Sequence, residues 1–487
     1  MKIKNLIENI KVKKFVNFDE SSFEIDIKNI CDNTESKNIK NSAFVCVDGF
    51  NFDSHQESKK FQKLGVKFVV CEKDIETNLP YIVVESSRET LGILCDNFYN
   101  HPTKSFCLIG VIGTNGKTST TYFIKQLADL NNIKCSVIGT SGVFINNKKL
   151  EETLTTPDPL VLYDLFDKAR RKKSQLVVME ISAHAINLKK VANLVCDIVC
   201  FTNFSQDHLD FFKTMGNYKQ TKFSFFNKKN VKKAIINVDD DAGKELCEKI
   251  KGELKTKTFS LKSDADYQAL NVKTELKKTI FDLKSFSKIV HVVANISCVF
   301  NVYNLLCAFA VLEELGIKIN QNLFSQIKGV KGRFDCFELK NNNYIIIDYA
   351  HTPESLNCLL KSVNELKPNA KINIVFGCPG NRDETKREIM GNIAYNFCEK
   401  IYITSDNPKF ENPLIICEEI LKGAKEKGVI IENRTKAIKT ACKEMKENEV
   451  LCIVGKGTEE YQDINNRKIK YCDYDVVSKC IKRIKKQ

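Results

Sequence analysis

Apolar residues in this chain fall mostly into short, unbroken runs divided by polar segments. The first runs are "SAFVCV", "KFVVCE" and "YIVVES", and they predict short strands. A helix is expected over Glu89–Tyr99, with Pro102 just past its end as a stop. From Ser105 the pattern changes: "FCLIGVIG" runs into a helix from Thr118, and "QLVVMEIS", "CDIVCFTNF" and "KKAIINV" follow at helix-length intervals. Near-continuous apolar strands alternating with helices imply a parallel sheet covered on both faces. A helix containing "NVYNLLCAFAVLEELG" ends at Gly316. After "GVKGRFD" a second alternation begins, with "YIIIDYA", "KINIVFG", "KIYITSD" and "EVLCIVGKG". The pattern predicts an α/β protein of three domains, at residues 1–102, 103–333 and 334–487.

Composition changes this picture little. Hydrophobic residues make up 43% and charged residues 28%, the balance of a soluble globular protein. No apolar run reaches the roughly 18–20 residues of a membrane span. The opening "MKIKNLIENIKVKKFVNF" has no unbroken apolar core and no small-residue cleavage site, so no signal peptide is read and a cytoplasmic location is expected. The 20 cysteines are scattered singly, with Cys196 and Cys200 the closest pair, and no C-x-x-C occurs. That spacing fits small buried hydrophobes in a reducing compartment, not a zinc site or a disulfide framework. The net charge of +14 is spread evenly, apart from short runs such as Arg170-Arg171-Lys172-Lys173. No aromatic–basic platform accompanies it, so neither nucleic acid nor membrane is an expected partner. Anionic small substrates would be attracted.

The first candidate chemistry lies in "LIGVIGTNGKTSTT", Leu108–Thr121. An apolar strand enters a Gly-rich turn and then a helix. Such a turn lets backbone N–H groups converge on phosphate oxygens, and the helix N-terminus adds its dipole. Gly113, Thr114, Asn115, Gly116, Lys117, Thr118 and Ser119 form the expected nucleotide cradle. Lys117 would reach the terminal phosphates, and the Thr118 hydroxyl would ligate Mg²⁺. The usual first glycine of this motif is replaced by Val111, so the loop is a variant.

Further segments lie at the ends of neighbouring strands, where open α/β sheets bind ligands. "VVMEISAHAINLKKV" puts Glu180 just past an apolar run, "FTNFSQDHLDFF" does the same for Asp207 and His208, and Lys222 follows in "GNYKQTKFSFF". Glu and His beside a phosphate loop suit a metal that clamps ATP and a nucleophile's carboxylate. Chemistry alone does not select Lys222 among so many lysines.

The order of "GTNGKTSTT", "LTTPDP", "MEISAHA", "FTNFSQDHLDFFKTMGNYKQTK", "FNVYNLLCA", "GVKGRFD", "DYAHTPESL", "DNPK" and "GKGTEEYQ" resembles the Mur ligases, from about residue 30 to 475. "DYAHTPESL" and "DNPK…GKGTEE" point to the members that add the third peptide residue of the peptidoglycan precursor. The resemblance implies a Mur ligase architecture, with a central P-loop ATPase domain and a Rossmann-like C-terminal domain. It also implies a monomer that couples ATP hydrolysis to amide formation between UDP-N-acetylmuramoyl-L-alanyl-D-glutamate and meso-diaminopimelate, or alternatively L-lysine or L-ornithine. In such enzymes ATP phosphorylates the substrate carboxylate, and an amine attacks the acyl phosphate. Mg²⁺ and Lys117 would offset the repulsion between two anions.

On these residues the resemblance places one magnesium on Thr118 and Glu180, and a second on His208 and a Lys222 carrying a CO₂-derived carbamate. Asn301 and Asn304 would lie beside the adenine, Arg333 at the phosphates and Asp348 at the ribose. Thr155, Thr156, Ser182 and Lys190 would meet the muramoyl peptide. Arg382, Asp406, Asn407, Pro408, Lys409, Gly455 and Glu459 would meet the incoming amino acid, with Gly455 and Glu459 at its far amino group and Arg382 with Lys409 at its far carboxylate. The chain departs from the family pattern at Ala183, Lys190, Lys409 and Thr458, where Ser, Arg, Arg and His are usual. Its uridine-binding signature, nearest in "NTESKNIKNSAFV", is weak.

Three other readings stay open at this stage. A folylpolyglutamate synthase-type ligase shares "DYAHTPESL" loosely but would not need "DNPK". A generic P-loop ATPase or kinase would need neither Lys222 nor a third domain. An inactive scaffold of the same fold is the third, and the intact Lys117, Glu180, His208 and Lys222 argue against it.

Overall fold

The computed structural model describes residues 1–49, 52–150, 154–286 and 288–484. It contains three large sheets in sequence along the chain. The first has five strands in the order Val12–Val16, Tyr81–Val84, Phe68–Cys71, Ser42–Val45, Asn29–Cys31. Only its first pairing is antiparallel. The run "YIVVES" therefore contributes a strand with a neighbour on each side, and all four of its residues are buried.

The central sheet has eleven strands. Its middle is parallel, and Cys107–Ile112 lies between Leu176–Glu180 and Ile198–Phe201. Successive residues of Cys107–Ile112 pack on opposite faces. Leu108 and Ile112 join one apolar cluster, and Ile109 and Val111 join another. This two-sided burial is why the sequence shows a continuous apolar run where a half-buried strand would alternate. The Lys117–Leu130 helix covers one face together with Val299–Glu314, which is buried over most of its length. At one edge Tyr267–Thr274, Thr279–Ser285 and Lys288–Ala294 add an antiparallel meander, and at the other edge Gly142–Ile145 and Lys148–Lys149 turn back antiparallel.

The third sheet has six strands in the order Asp335–Glu338, Tyr344–Asp348, Glu449–Val454, Lys371–Phe376, Lys400–Ile403, Gly428–Ile430, with only the first pairing antiparallel. Ile346 faces one cluster and Ile345 and Ile347 the other, the same two-sided pattern. A separate hairpin, Tyr461–Ile464 with Arg467–Lys470, follows it. The expected α/β architecture with parallel-rich sheets is present. Among the described residues, no helix is long and apolar enough to cross a membrane. All 20 cysteines are free, and most are buried.

Candidate active site

The carboxyl ends of the three adjacent strands Leu176–Glu180, Cys107–Ile112 and Ile198–Phe201 open on one side of the central sheet. The phosphate-type loop leaves the middle strand there. A Cβ on Gly113 would stand 1.9 Å from Thr202 Oγ1. Gly116, at φ +82°, would bring one 2.4 Å from Asn304 Oδ1, so neither position has room for a side chain. The loop is latched to the neighbouring strand's exit. Thr114 N donates to Asn203 O (2.9 Å), Asn115 N to Asn203 Oδ1 (2.8 Å) and Thr202 Oγ1 to Asn115 O (2.6 Å). Lys117 folds back over the loop and donates to Gly113 O and Thr114 O, both at 2.9 Å. Burial lowers its pKa below the usual lysine value, partly offset by Glu180 and Asp207.

Thr118 Oγ1 donates to Glu180 Oε1 at 3.0 Å. Glu180 is buried and held on its other side by Thr140, whose N reaches Oε1 (2.8 Å) and whose Oγ1 reaches Oε2 (3.1 Å). Thr140 Oγ1 in turn meets Thr155 Oγ1 at 2.9 Å. Thr156 Oγ1 donates to the Glu180 carbonyl (2.9 Å) and accepts from Ser182 N (3.0 Å), and Ser182 caps the Ala183–Asn187 helix. Arg333 crosses from the third sheet's side of the chain, and its Nη2 donates to Thr118 Oγ1 at 3.2 Å. Its guanidinium lies over the Tyr349 ring, 4.4 Å from the centroid.

Lys222 is 1% exposed, its Nζ donating to Gly113 O (2.8 Å) and lying 4.4 Å from the centre of the Tyr218 ring. Burial, with Lys117 adding repulsion, drives its pKa well below that of a free lysine. The His208 ring meets Tyr218 edge to face, with ring centroids 6.0 Å apart. Burial lowers the His208 pKa to about 3 even though Asp207 Oδ2 lies 3.2 Å from its Nε2. Asp207 is itself partly buried, which favours its neutral form. His208, His351, Lys386 and Lys117 outweigh this and hold it below the usual carboxylate range.

One cavity of 610 Å³ joins this region to the carboxyl end of the third sheet. Of the residues singled out in the sequence, Thr114 to Ser119, Thr155, Glu180, Ser182, Asp207, His208, Asn304, Arg333, Asp348, Arg382, Asp406, Asn407, Lys409, Gly455 and Glu459 line it. The others do not. Gly113 and Lys222 sit beneath the loop, and Thr156 sits behind Glu180. Asn301, 2% exposed, accepts from Asn304 Nδ2 at 3.3 Å and so supports its neighbour. Pro408 packs on the other side of its loop, where its carbonyl would stand 2.0 Å from a Cβ on Gly380. Lys190 lies in a separate small pocket with Asp32 and Arg88, paired to Asp158 Oδ1 at 2.8 Å. Asp348 reaches the cavity, but its oxygens accept from Phe334 N (2.6 Å) and Ala350 N (2.7 Å). It therefore fixes the turn that carries Arg333 and Tyr349.

At the far end, Lys456 is fully buried and donates to Glu459 Oε2 (2.7 Å) and Asn407 Oδ1 (2.9 Å). Gly455, at φ +109°, lets the chain pass within 2.7 Å of Asp406 Oδ2, counted from where a Cβ would stand. Burial and the neighbouring Arg382 both lower the Lys409 pKa, and Asp463, Asp210 and Glu411 oppose them. The sequence reading did not single out Thr140, Asn203, Tyr349 or Lys456. Of these, Lys456 was the most accessible to it, as a lone lysine between two glycines directly after an apolar strand.

Residues 111–312 match the Mur ligase middle domain, and residues 332–457 match the Mur ligase, glutamate ligase domain. A curated protein of Clostridium acetobutylicum named UDP-N-acetylmuramoyl-L-alanyl-D-glutamate–2,6-diaminopimelate ligase 1 is 36% identical, over 99% of this chain and 100% of its own length. The chain belongs to the Mur ligase family. The same fold appears in solved Mur ligases. A structure of UDP-N-acetylmuramoyl-L-alanyl-D-glutamate–2,6-diaminopimelate ligase superposes with a TM-score of 0.69 over 99% of both chains, at 24% identity. The MurF ligase of Thermotoga maritima in complex with ADP superposes with a TM-score of 0.62 over 94% of this chain and 98% of that one, at 18% identity. For this Mur ligase the two structures speak to fold alone.

Proposed function

We propose that this Mur ligase uses ATP to join meso-diaminopimelate to the D-glutamate carboxylate of UDP-N-acetylmuramoyl-L-alanyl-D-glutamate, in the cytoplasmic synthesis of the peptidoglycan precursor. The observation that carries this reading is the single cavity, with a phosphate-binding loop at one end and the cation pair Arg382 and Lys409 beside carboxylates at the other. Full-length relatives named for this reaction support it. The residue ranges 1–102, 103–333 and 334–487 would bind the uridine nucleotide, ATP and the incoming amino acid in turn.

The chemistry follows from the groups present. A carboxylate is a poor acyl donor. Transfer of the ATP γ-phosphoryl group to its oxygen, with release of ADP, makes phosphate the leaving group. The free amine then attacks the acyl carbon, loses a proton, and expels phosphate as the amide forms. Lys117 and Arg333 carry the positive charge that lets the two anions approach. Mg²⁺ would supply further charge stabilisation, and it favours oxygen donors. Thr118 and Glu180 provide them at one position. Among the described residues no group of three His, Cys, Asp or Glu is arranged to hold a metal. A second magnesium at His208 would therefore need another acid. Lys222 fits that need once carbamylated, since only a neutral amine attacks CO₂ and burial lowers the pKa of this amine well below that of a free lysine. Asn304 would face the adenine, with Asn301 behind it. Asp348 would border the ribose. Thr155 and Ser182 would meet the peptide, and Lys190 would meet the substrate from its side pocket beside Asp32.

Phosphate release from ATP should require both the UDP-muramoyl dipeptide and a diamino acid. Release with either substrate alone, or equal efficiency with L-lysine and meso-diaminopimelate, would refute the assignment.

A further inference from the structure

The Cys442 and Cys480 thiols hydrogen-bond to each other across the seam between the Arg434–Glu444 and Asp473–Ile484 helices. They are 5% and 7% exposed and do not line the cavity described above. Cys200 and Cys307 make the same kind of contact between the Ile198–Phe201 strand and the Val299–Glu314 helix, but both are 0% exposed. Cys358 is the opposite case, exposed at the border of the cavity. Oxidation of a thiol to a disulfide needs access for the oxidant and a second sulfur in reach. Cys200 and Cys307 are sealed from solvent. The Cys442–Cys480 pair has the second sulfur in place and keeps some contact with solvent.

The local fold explains the contact. Arg434, Ala437, Ile438, Ala441 and Cys442 form the buried stripe of one helix, and Asp473, Val476, Val477 and Cys480 form that of the other. Both stripes advance by three and four residues, the spacing of one helix face. Arg434 meets Asp473 at the first turn, with Nη2 2.7 Å from Oδ2, and this ion pair sets the register. Cys442 then meets Cys480 about 11 Å further along the seam. The two contacts come in the same order on both helices, so the helices run parallel. The thiols are also unlike each other. The hydrogen bond from Cys442 lowers the Cys480 pKa, burial opposes it, and the charges of Lys439 and Arg483 add to the lowering. The same hydrogen bond and burial raise the Cys442 pKa. Cys480 is thus the thiolate of the pair and Cys442 the thiol beside it.

We propose that Cys442 and Cys480 are an oxidation site, at which a hydroperoxide forms a disulfide that staples the last helix to the Arg434–Glu444 helix. The Cys480 sulfur attacks one peroxide oxygen, the O–O bond breaks, and the departing oxygen takes a proton. Cys480 is left as a sulfenic acid. The Cys442 sulfur attacks the Cys480 sulfur, the S–S bond forms, the S–O bond breaks, and the hydroxide leaves as water with the Cys442 proton. Two electrons pass from the two sulfurs to the peroxide. A dithiol reductant restores both thiols by exchange. The staple closes a loop from residue 442 to residue 480, which contains Gly455 and the Tyr461–Ile464 hairpin strand. It therefore restrains opening of the last helix at a second point, beyond the Arg434–Asp473 pair.

The test treats the reduced, folded full-length protein with hydrogen peroxide, blocks the remaining thiols, and digests it without reductant for mass spectrometry. We expect a linked peptide pair joining Cys442 to Cys480, two hydrogens lighter than the separate peptides and returned to them by dithiothreitol. Cys200 and Cys307 should stay reduced. Cys442→Ser should leave Cys480 as a sulfenic acid that dimedone captures, and Cys480→Ser should leave Cys442 unoxidised. Amide hydrogen exchange in Asp473–Ile484 should slow about tenfold or more on oxidation of the unmodified protein, and should not slow in Cys442→Ser. The measurement on the unmodified protein stands by itself if a variant fails to fold. Failure to find the linked pair while the protein remains folded, or a Cys200–Cys307 link in its place, would overturn the proposal. A linked pair with unchanged exchange would remove the staple.

Discussion

Arg382 Nη1 lies 3.6 Å from Asp210 Oδ2, a contact that spans the loop after the Lys371–Phe376 strand and the short helix following His208. Both groups are partly exposed, at 46% and 27%, so the pair contributes at most about 1 kcal/mol. Arg382 is also a proposed ligand of the substrate's far carboxylate, so substrate and Asp210 compete for one guanidinium. Asp210→Asn is therefore expected to lower KM for the diamino acid two- to fivefold, roughly the worth of an exposed pair. Steady-state kinetics decides the point. A raised KM would mean that the contact holds the two parts of the enzyme together productively.

The spacing of Arg382 and Lys409 is set by groups behind them. Asn381 Oδ1 accepts from Phe410 N at 3.1 Å, and Asn381 N donates to Glu411 Oε1. Glu411 Oε2 accepts from Arg387 Nη2 at 2.8 Å, and Arg387 Nη1 reaches Glu419 Oε2 at 2.7 Å. Arg387 is 1% exposed, and its Nε has no partner. Glu411→Ala should cost about 1–2 kcal/mol, below the ~3–5 kcal/mol of a fully buried pair because both acids are partly solvated. The larger effect should be kinetic, a rise in KM for the diamino acid with KM for ATP unchanged. Parallel loss for both substrates would show a general structural role.

Lys222 offers a chemical test. The amine is buried, its pKa lies well below that of a free lysine, and Gly113 O is its acceptor. Lys222→Ala should lose at least about two orders of magnitude in turnover, as when an electrostatic or metal-positioning group is removed. A short free carboxylate should restore part of it. Carbon-13 bicarbonate should label the unmodified enzyme and not the variant. Near-normal activity of Lys222→Arg, which cannot carry this carbamate, would sink the idea.

The strands of the central and third sheets were legible because two-sided burial writes them as continuous apolar runs. Ile345, Ile346 and Ile347 alternate between two apolar clusters, and none could be polar. The edge meander was not read. Thr279–Ser285 alternates buried and half-buried residues, and its outward positions are Ile280, Asp282 and Lys284, a pattern masked by the surrounding lysines. The phosphate loop and Glu180 were legible from local spacing. Lys456 was not, since its role depends on which partners the fold brings near, Glu459 and Asn407. Asp348 shows the converse. Its place in the cavity was foreseen, but both its oxygens serve the backbone.

The last helix, Asp473–Ile484, is tied to the site in part through a buried ion pair. Arg434 donates from Nε to Asp473 Oδ1 (2.9 Å) and from Nη2 to Asp473 Oδ2 (2.7 Å), and Nη2 also reaches Val454 O (2.8 Å). Val454 immediately precedes Gly455, and Arg434 Nη1 lies 3.9 Å from Asp406 Oδ2, so the same guanidinium borders both segments proposed to bind the amino acid. The two side chains of the pair are 0% exposed. Removing one member leaves an uncompensated charge in the interior, and Asp473→Ala should cost about 3–5 kcal/mol. At about 2–4 °C per kcal/mol for a unit of this size, the melting midpoint should fall by roughly 6–20 °C. The paired replacement Arg434→Met with Asp473→Leu removes both charges of the pair, with Lys456 still beside Asp406, and should recover most of that loss, as apolar substitutes for buried pairs often do. It should still raise KM for the diamino acid, because Asp406 and Val454 lose the group that fixes them. A single variant as stable as the unmodified enzyme, or a double variant with unchanged KM, would remove Arg434 from this positioning role.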